Sequence, residues 1–437
     1  MNVILLSGGS GKRLWPLSNE VRSKQFLKLF PTAEGYESMV QRVYRQIKAA
    51  DPEAVVTVAT SQAQLSALRN QLGESVDVCL EPCRRDTFPA IALATAYLHE
   101  VLGVDRDEAV VVCPVDPYVD DGYFVAVKKL WELARAGTAK LMLLGIDPSY
   151  PSEKYGYILP AGKEAVSRVS AFHEKPDAAT AQRYIDAGGL WNGGVFAYRL
   201  TYVLDRAREL LGAADYADLL AGYDRLKKIS FDYAVAEHET DIAVLRYAGQ
   251  WKDLGTWNTL TEAMEERSVG DVRFDETCVN VHAINELDVP VLAMGLKDVV
   301  ISASPDGILV SDKGRSSFIR PYVDAIGQPV MFAEKSWGSY RVLDVGESSL
   351  TIKVTLKSGH RMHYHSHDRR DEVWTIVSGR GRAVIDGEWR PVMAGDVITM
   401  AAGCRHTVIA ETELKLIEVQ LGTDISADDK HRFPLEV

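Results

Sequence analysis

Three groups of residues in this sequence have types and spacings that could do chemistry. The first is the loop Leu6-Ser7-Gly8-Gly9-Ser10-Gly11-Lys12-Arg13-Leu14, which follows an apolar run directly. Glycines there let backbone N–H groups approach phosphate oxygens, and Lys12 and Arg13 add positive charge. The spacing is not a dinucleotide fingerprint, because Leu14 stands where the last glycine is needed. It is not a P-loop either, because Arg13 follows the lysine in place of Ser or Thr. The second is Asp116, just beyond Ala109-Val-Val-Val-Cys-Pro, where a parallel strand ends and a metal-holding carboxylate belongs. The third is His365-Ser-His367, whose side chains share one strand face, with Glu372 on the next segment and His406 further on. Three histidines and a carboxylate suit Zn²⁺, Mn²⁺, Fe²⁺, Co²⁺ or Ni²⁺, and spacing does not choose among them. By the same alternation His363 is a further inward candidate.

The elements that must position these groups fall into two textures. Up to about residue 260, apolar strand-like runs at 2–7, 54–59, 109–114, 140–146 and 242–247 alternate with helical patterns such as Val40, Val43, Tyr44, Ile47. That alternation predicts βαβ units on a mostly parallel sheet, an α/β architecture whose ligands bind beyond the carboxyl ends of the strands. A helix is expected over 261–267. Short strands broken by Gly, Asp and Pro follow, at 289–294, 299–302 and 307–310, and read as a β connector. From Trp337 the turn signals Ser378-Gly379, Asp386-Gly387 and Ala394-Gly395 separate short strands, which predicts an all-β barrel or jelly roll. The expected domains are 1–267, 268–330 and 331–437, with the charged tail after 426 docking back or fraying.

Composition bounds the function. The 437 residues carry a net charge of −12, which argues against non-specific nucleic-acid binding but not against one locally basic pocket for a small phosphorylated ligand. No apolar run approaches the roughly 18 residues that span a bilayer, and nothing reads as a signal peptide. Five scattered cysteines without a Cys-x-x-Cys pair point to reduced cytoplasm, not to a disulfide framework.

The glycine loop extends into Arg13-Leu14-Trp15-Pro16-Leu17-Ser18 and is followed by Ser23-Lys24-Gln25-Phe26. This resembles the mannose-1-phosphate guanylyltransferases, in the long form that carries a type II phosphomannose isomerase domain. Further segments resemble the family's in order: Glu81-Pro82-Cys83-Arg84-Arg85-Asp86-Thr87, Phe172-His173-Glu174-Lys175-Pro176, Trp191-Asn192-Gly193-Gly194 and Trp251-Lys252-Asp253-Leu254-Gly255. The resemblance implies a Rossmann-like nucleotidyltransferase domain and transfer of a nucleotidyl group to a sugar-1-phosphate with loss of pyrophosphate. It implies Arg13, Lys24, Lys175, Asp116 and Asp253 as catalytic residues, with Mg²⁺ on Asp116 and Asp253. Leu6, Gly8, Gly9, Gly11, Lys12, Arg13, Glu81 and Arg85 would meet the nucleotide, and Gly156, Glu174, Lys175 and Asn192 the sugar phosphate. Two departures stand out: the family's Asp-His is Asp116-Pro117 here, and its Gly-Arg-Asn is Arg84-Arg85-Asp86.

The second half resembles a cupin, with His365, His367, Glu372 and His406 as the metal set. More residues precede Glu372 than in the family's pattern, and the family's late His-Arg is His406-Thr407. Three functions therefore compete. One is a transferase making GDP-mannose; another is a bifunctional enzyme also interconverting mannose 6-phosphate and fructose 6-phosphate. The third is a related transferase, with another sugar or base, whose cupin only binds ligand or builds an oligomer. The expected partners are a nucleoside triphosphate and a sugar-1-phosphate; a homodimer stays open.

Overall fold

A computed structural model describes residues 1–9, 12–19, 21–213, 215–426 and 428–435. Gly11, named above for the nucleotide, lies outside them. The chain divides into two compact units. The first comprises Met1–Gly11, Ser23–Leu65 and Ser75–Glu265, the second Lys12–Arg22, Ser66–Glu74 and Glu266–Val437.

The first unit is built on a nine-stranded sheet. Its spatial order is Asp77–Glu81, Val55–Ser61, Asn2–Leu6, Ala109–Pro114, Leu190–Arg199, Leu141–Ile146, Ile242–Tyr247, Val166–His173 and Tyr157–Pro160. The first four strands pair in parallel, as the strand–helix alternation predicts. The long strand Leu190–Arg199 then enters antiparallel to both neighbours, and the sheet is mixed beyond it. Val3, Ile4 and Leu5 are fully buried, as are Val110, Val111 and Val112. Continuous apolar runs are what a parallel strand needs when helices cover both of its faces. The helix Thr87–Glu100 is apolar all round and correspondingly buried from Phe88 to Ala96. Helix Met39–Ala50 starts where Ser38 and Gln41 form a reciprocal capping box, satisfying two orphan N–H groups.

The helix expected over 261–267 is displaced. It runs Trp257–Ala263, because the Thr256 hydroxyl caps its first turn and Trp257 and Leu260 are buried along its face.

In the second unit the connector forms a four-stranded sheet, Ser268–Val269, His282–Asn285, Val299–Ser304 and Gly307–Asp312, beside the pair Val272–Phe274 and Val291–Ala293. The C-terminal part is a two-sheet barrel. Six strands form one sheet, in the order Phe332–Lys335, Gly338–Val345, Ser349–Leu356, Leu414–Leu421, Asp371–Ser378, Val397–Met400. Five form the other: Glu388–Met393, Arg380–Ile385, His406–Ala410, His365–Ser366, His431–Arg432. Trp374, Leu356, Val408, Leu414 and Leu416 fill the barrel floor, each contributing roughly 1.5–3 kcal/mol by burial. The tail docks back: His431–Arg432 adds an edge strand against His365–Ser366.

Candidate functional site

In the first unit, strand geometry brings two distant carboxylates together. Asp116 follows the strand Ala109–Pro114 and precedes Pro117–Val119, which pairs antiparallel with Trp251–Asp253 so that Asp253 lies opposite Pro117. Lys24, in the short turn Lys24–Phe26, places its Nζ 2.6 Å from Asp116 Oδ2 and 3.7 Å from Asp253 Oδ1. Both carboxylates therefore aim at one cation. Two hard oxygen donors converging on a point suit Mg²⁺ shared with phosphate oxygens. The Tyr155 phenol is pushed upward by burial and by the nearby Asp253, Tyr150 and Asp116. It stays neutral and can only donate or accept a hydrogen bond.

Tyr155 also begins an aromatic wall. Its ring meets Trp191 at 5.0 Å and Trp251 at 5.3 Å. Beyond the wall lies a second polar group. The Asn192 backbone N–H donates to Gly156 O at 2.8 Å. Its side-chain amide donates to Asp232 Oδ1 at 2.6 Å and accepts from Gly194 N–H. Lys175 pairs with Glu174 Oε1; burial opposes its charge, but the Glu174 hydrogen bond and charge raise its proton affinity. Lys175 holds φ +48°, a backbone strain of the kind kept at ligand-binding positions. Glu174 Oε2 is buried with no hydrogen-bond partner among the described residues. A Cβ on Gly156 would overlap that carboxylate and come 3.2 Å from Phe172. Gly156 thus keeps open a hollow lined by Glu174, Asn192 and Asp232. An acceptor-rich hollow beside one lysine can bind hydroxyls and an anion together.

Asp232 is a residue that motif reading missed. It opens a π-helical turn, Asp232–Ala236, and burial, then the Glu174 charge, push its carboxyl up to about 6. Its only signal in the sequence is a lone acid between Phe231 and Tyr233.

At the open end of the first strand, Gly8 and Gly9 leave Leu6. Gly9 O accepts from Ser23 Oγ at 2.9 Å and Gln64 Nε2 at 3.0 Å, which fixes the loop over Ser23 and Lys24. Glu81 Oε1 stands 3.5 Å from where a Gly8 Cβ would be, while Glu81 Oε2 accepts from the Tyr223 hydroxyl at 3.0 Å. Arg85 Nε donates to the backbone of the same tyrosine. Lys12 and Arg13 belong to the second unit; Lys12 is half-buried and Arg13 exposed.

The barrel holds the other cluster. His365, His367, Glu372 and His406 are all buried and offer ligand atoms within 4.8 Å of one another. Each histidine turns Nδ1 to a backbone carbonyl: His365 to His363 O at 2.6 Å, His406 to Cys404 O at 3.0 Å, and His367 to Asp429 O. That fixes the tautomer and presents Nε2 inward, as metal ligation requires. Glu372 lies 3.0 Å from His367 Nε2 and 3.1 Å from His406 Nε2. Despite that proximity, Glu372 Oε2 and His406 Nε2 make no aligned hydrogen bond among the described residues. Their lone pairs converge on a common point, and a divalent cation is the group that would satisfy both. Burial, with Lys430 next, pushes His365 down to about 2, leaving the neutral imidazole a metal needs.

His363 is excluded from this set. Arg361 bridges Ile409 while His365 pairs with His406, so one extra residue is inserted between the two contacts. That bulge turns both Met362 and His365 inward and leaves His363 exposed. Where the family has an arginine after its last histidine, this barrel has other cations. Arg370 is buried 3.3 Å from Glu372, and Lys430 faces Glu418 and Glu372 beside Arg432.

A parallel-led α/β sheet with a glycine loop beyond its first strand and paired carboxylates beside it is a nucleotidyltransferase scaffold. The nucleotidyl transferase family matches residues 2–268, and the mannose-6-phosphate isomerase C-terminal family matches residues 330–434. The chain belongs to the nucleotidyl transferase family, among full-length relatives of the mannose-1-phosphate guanylyltransferase type. Xanthan biosynthesis protein XanB of Xanthomonas campestris pv. campestris is 30% identical over 98% of this chain and 97% of its own length. Mannose-1-phosphate guanylyltransferase ManC of Salmonella typhimurium is 30% identical over 98% and 96%. Among solved structures, mannose-1-phosphate geranyltransferase of Thermus thermophilus superposes with TM-score 0.63 at 30% identity, covering 74% of this chain and 98% of that one. Among the described residues no helix is long and apolar enough to cross a membrane.

Proposed function

We propose that this enzyme joins mannose 1-phosphate to GTP, giving GDP-mannose and pyrophosphate. The supporting observation is the convergence of Asp116 and Asp253 on Lys24, one aromatic wall away from the hollow of Gly156, Glu174, Lys175, Asn192 and Asp232. An oxygen of the sugar's phosphate forms a bond to the α-phosphorus while the bond to the pyrophosphate oxygen breaks. Such transfers depend on alignment and charge neutralisation, not on a covalent nucleophile. Lys175 holds the sugar phosphate, Glu174 and Asp232 accept from ring hydroxyls, and Asn192 fixes Asp232. Lys24, beneath the glycine loop that Gly9 closes over it, meets the polyphosphate. Asp116 and Asp253 would hold Mg²⁺, which when bound neutralises phosphate oxygens. Glu81 and Arg85 border the nucleotide. The chain is read as a transferase domain at 1–267, a connector at 268–330 and a barrel at 331–437, acting in the cytoplasm on small molecules.

The test is pyrophosphate release from the pure protein with each nucleoside triphosphate and a panel of sugar-1-phosphates. Turnover confined to GTP and mannose 1-phosphate is expected; no release with any pair refutes the reading. A second activity, interconversion of mannose 6-phosphate and fructose 6-phosphate, is supported by the four-ligand cluster with Arg370, Lys430 and Arg432 beside it. The ligands would hold a divalent ion, whose Lewis acidity would polarise the sugar carbonyl. An isomerase assay with added metals tests it, and turnover unaffected by replacing both His365 and His367 with alanine rules out this site.

A further inference from the structure

Two of the four clustered ligands of the barrel are held by the C-terminal tail. The His367 Nδ1–H donates to the backbone carbonyl of Asp429, and the strand His431–Arg432 pairs with His365–Ser366. The other two ligands have their support inside the barrel: His406 turns Nδ1 to Cys404 O, and Glu372 lies in the strand Asp371–Ser378. The tail therefore meets the cluster from behind, through one outer ring nitrogen and one strand edge. Neither contact uses an atom that faces the centre of the cluster.

The anchors of the tail are specific and polar. Asp429 is 2% exposed, and its carboxylate accepts from the backbone N–H of Asp368 at 2.9 Å and of Arg369 at 3.1 Å. Arg369 and Arg370 each bring a guanidinium nitrogen to 3.7 Å from it. A buried carboxylate so surrounded is fixed, and it fixes the carbonyl of its own residue against His367. Arg370 touches tail and cluster at once: Nη1 donates to Ser426 O at 2.9 Å and Nε to Glu372 Oε1 at 3.3 Å. Further on, His431 Nε2 stands 3.1 Å from Asp368 Oδ2, and the Phe433 N–H donates to Tyr364 O at 2.9 Å. The Phe433 ring lies 4.1 Å from the Arg405 guanidinium. Tyr364, Asp368 and Arg405 are the chain neighbours of His365, His367 and His406, so the tail is tied beside every histidine of the cluster.

We infer that docking of the C-terminal tail and capture of the barrel's metal ion are one coupled event, with Asp429 as the positioning residue that joins them. The tail holds the histidines in ligating orientation, and a filled centre holds the tail down. This rests on the reading of His365, His367, Glu372 and His406 as a metal centre. With Nε2 bound to a cation, the His367 ring gives up electron density and its Nδ1–H becomes a stronger donor, so the bond to Asp429 O tightens. The two equilibria share that bond, and linkage is reciprocal. The factor by which a docked tail strengthens metal binding is the factor by which the metal strengthens docking.

The experiment uses the full-length protein, stripped by a chelator and reloaded with Co²⁺, and follows hydrogen exchange in peptides covering residues 428–435. Reloading is expected to slow exchange there by about 10-fold or more, while peptides from the strand Asn2–Leu6 exchange as before. Glu372→Gln lacks one ligand and should show no such slowing. Slowing that persists in it places the ion on Asp368, Asp429 and His431 instead and overturns the proposal. Asp429→Ala is expected to weaken Co²⁺ affinity, read by chelator competition, about 10- to 100-fold and to shift the Co²⁺ absorption bands. Asp429→Asn keeps an acceptor oxygen for the two backbone N–H groups and should lose less. Folding of each variant is checked by near-ultraviolet circular dichroism, and if Asp429→Ala does not fold, exchange in the wild-type chain decides alone. Equal tail exchange with and without Co²⁺ overturns the proposal, as does an affinity within about 2-fold of wild type in folded Asp429→Ala. Wild-type protein that takes up no Co²⁺ refutes the metal centre beneath the proposal, and the coupling with it.

Discussion

Asp232 offers the sharpest quantitative test. Its carboxyl titrates at about 6 in place of the ordinary 3.8, because burial and the neighbouring Glu174 charge both oppose ionisation. A difference of that size corresponds to about 3 kcal/mol of penalty once the group is ionised. The sign follows from proton counts. Between pH 3.8 and about 6 the folded chain holds this proton more tightly than the unfolded one, so stability from this group falls as pH rises through that window and is flat above it. Asp232→Asn removes the charge while keeping an oxygen for the Asn192 amide at the same position. The variant should therefore be stabilised by up to about 3 kcal/mol near pH 7.5, about half that near pH 5, and hardly at all near pH 4. Hydrogen exchange along the strand Leu190–Arg199, in denaturant, reads this unit separately from the barrel. Activity should move the other way: a charged acceptor lost from a sugar hydroxyl raises the KM for mannose 1-phosphate about 10-fold or more. The reasoning fails if Asp232→Asn is no more stable near neutrality, or gains equally at both ends of the pH range.

Other consequences are simpler to measure. Lys24→Met leaves Asp116 and Asp253 without their shared cation and should cut kcat/KM by about 100-fold or more, on the scale of other charge clamps on phosphoryl groups; near-normal pyrophosphate release would place Lys24 outside the chemistry. Gly156→Ala puts a methyl into the Glu174 carboxylate and 3.2 Å from Phe172, so the KM for sugar phosphate should rise while that for GTP holds. In the barrel, Glu372→Gln removes the charge that two histidines share. Metal content by elemental analysis should fall sharply, with transferase turnover unchanged. Full metal retention would show that the ligands lie elsewhere.

The sequence by itself determined what depends on local pattern. The strand runs at 109–114 and 242–247 matched their final bounds, because a mostly apolar strand flanked by helices has no other comfortable environment. His365, His367, Glu372 and His406 were legible as one cluster, since histidines two apart on a strand share a face whatever surrounds them. What depends on long-range contact was invisible. The bulge that rejects His363 arises from pairing with a strand about 40 residues away. Asp232 joins the hollow only because Asn192 and Glu174 are folded against it. The course of the glycine loop into the connector was likewise undeclared: Arg22 and Glu286 lie 264 residues apart, and no local periodicity encodes a partner at that distance. Local propensity chooses elements and faces; only packing of the whole chain chooses which faces meet.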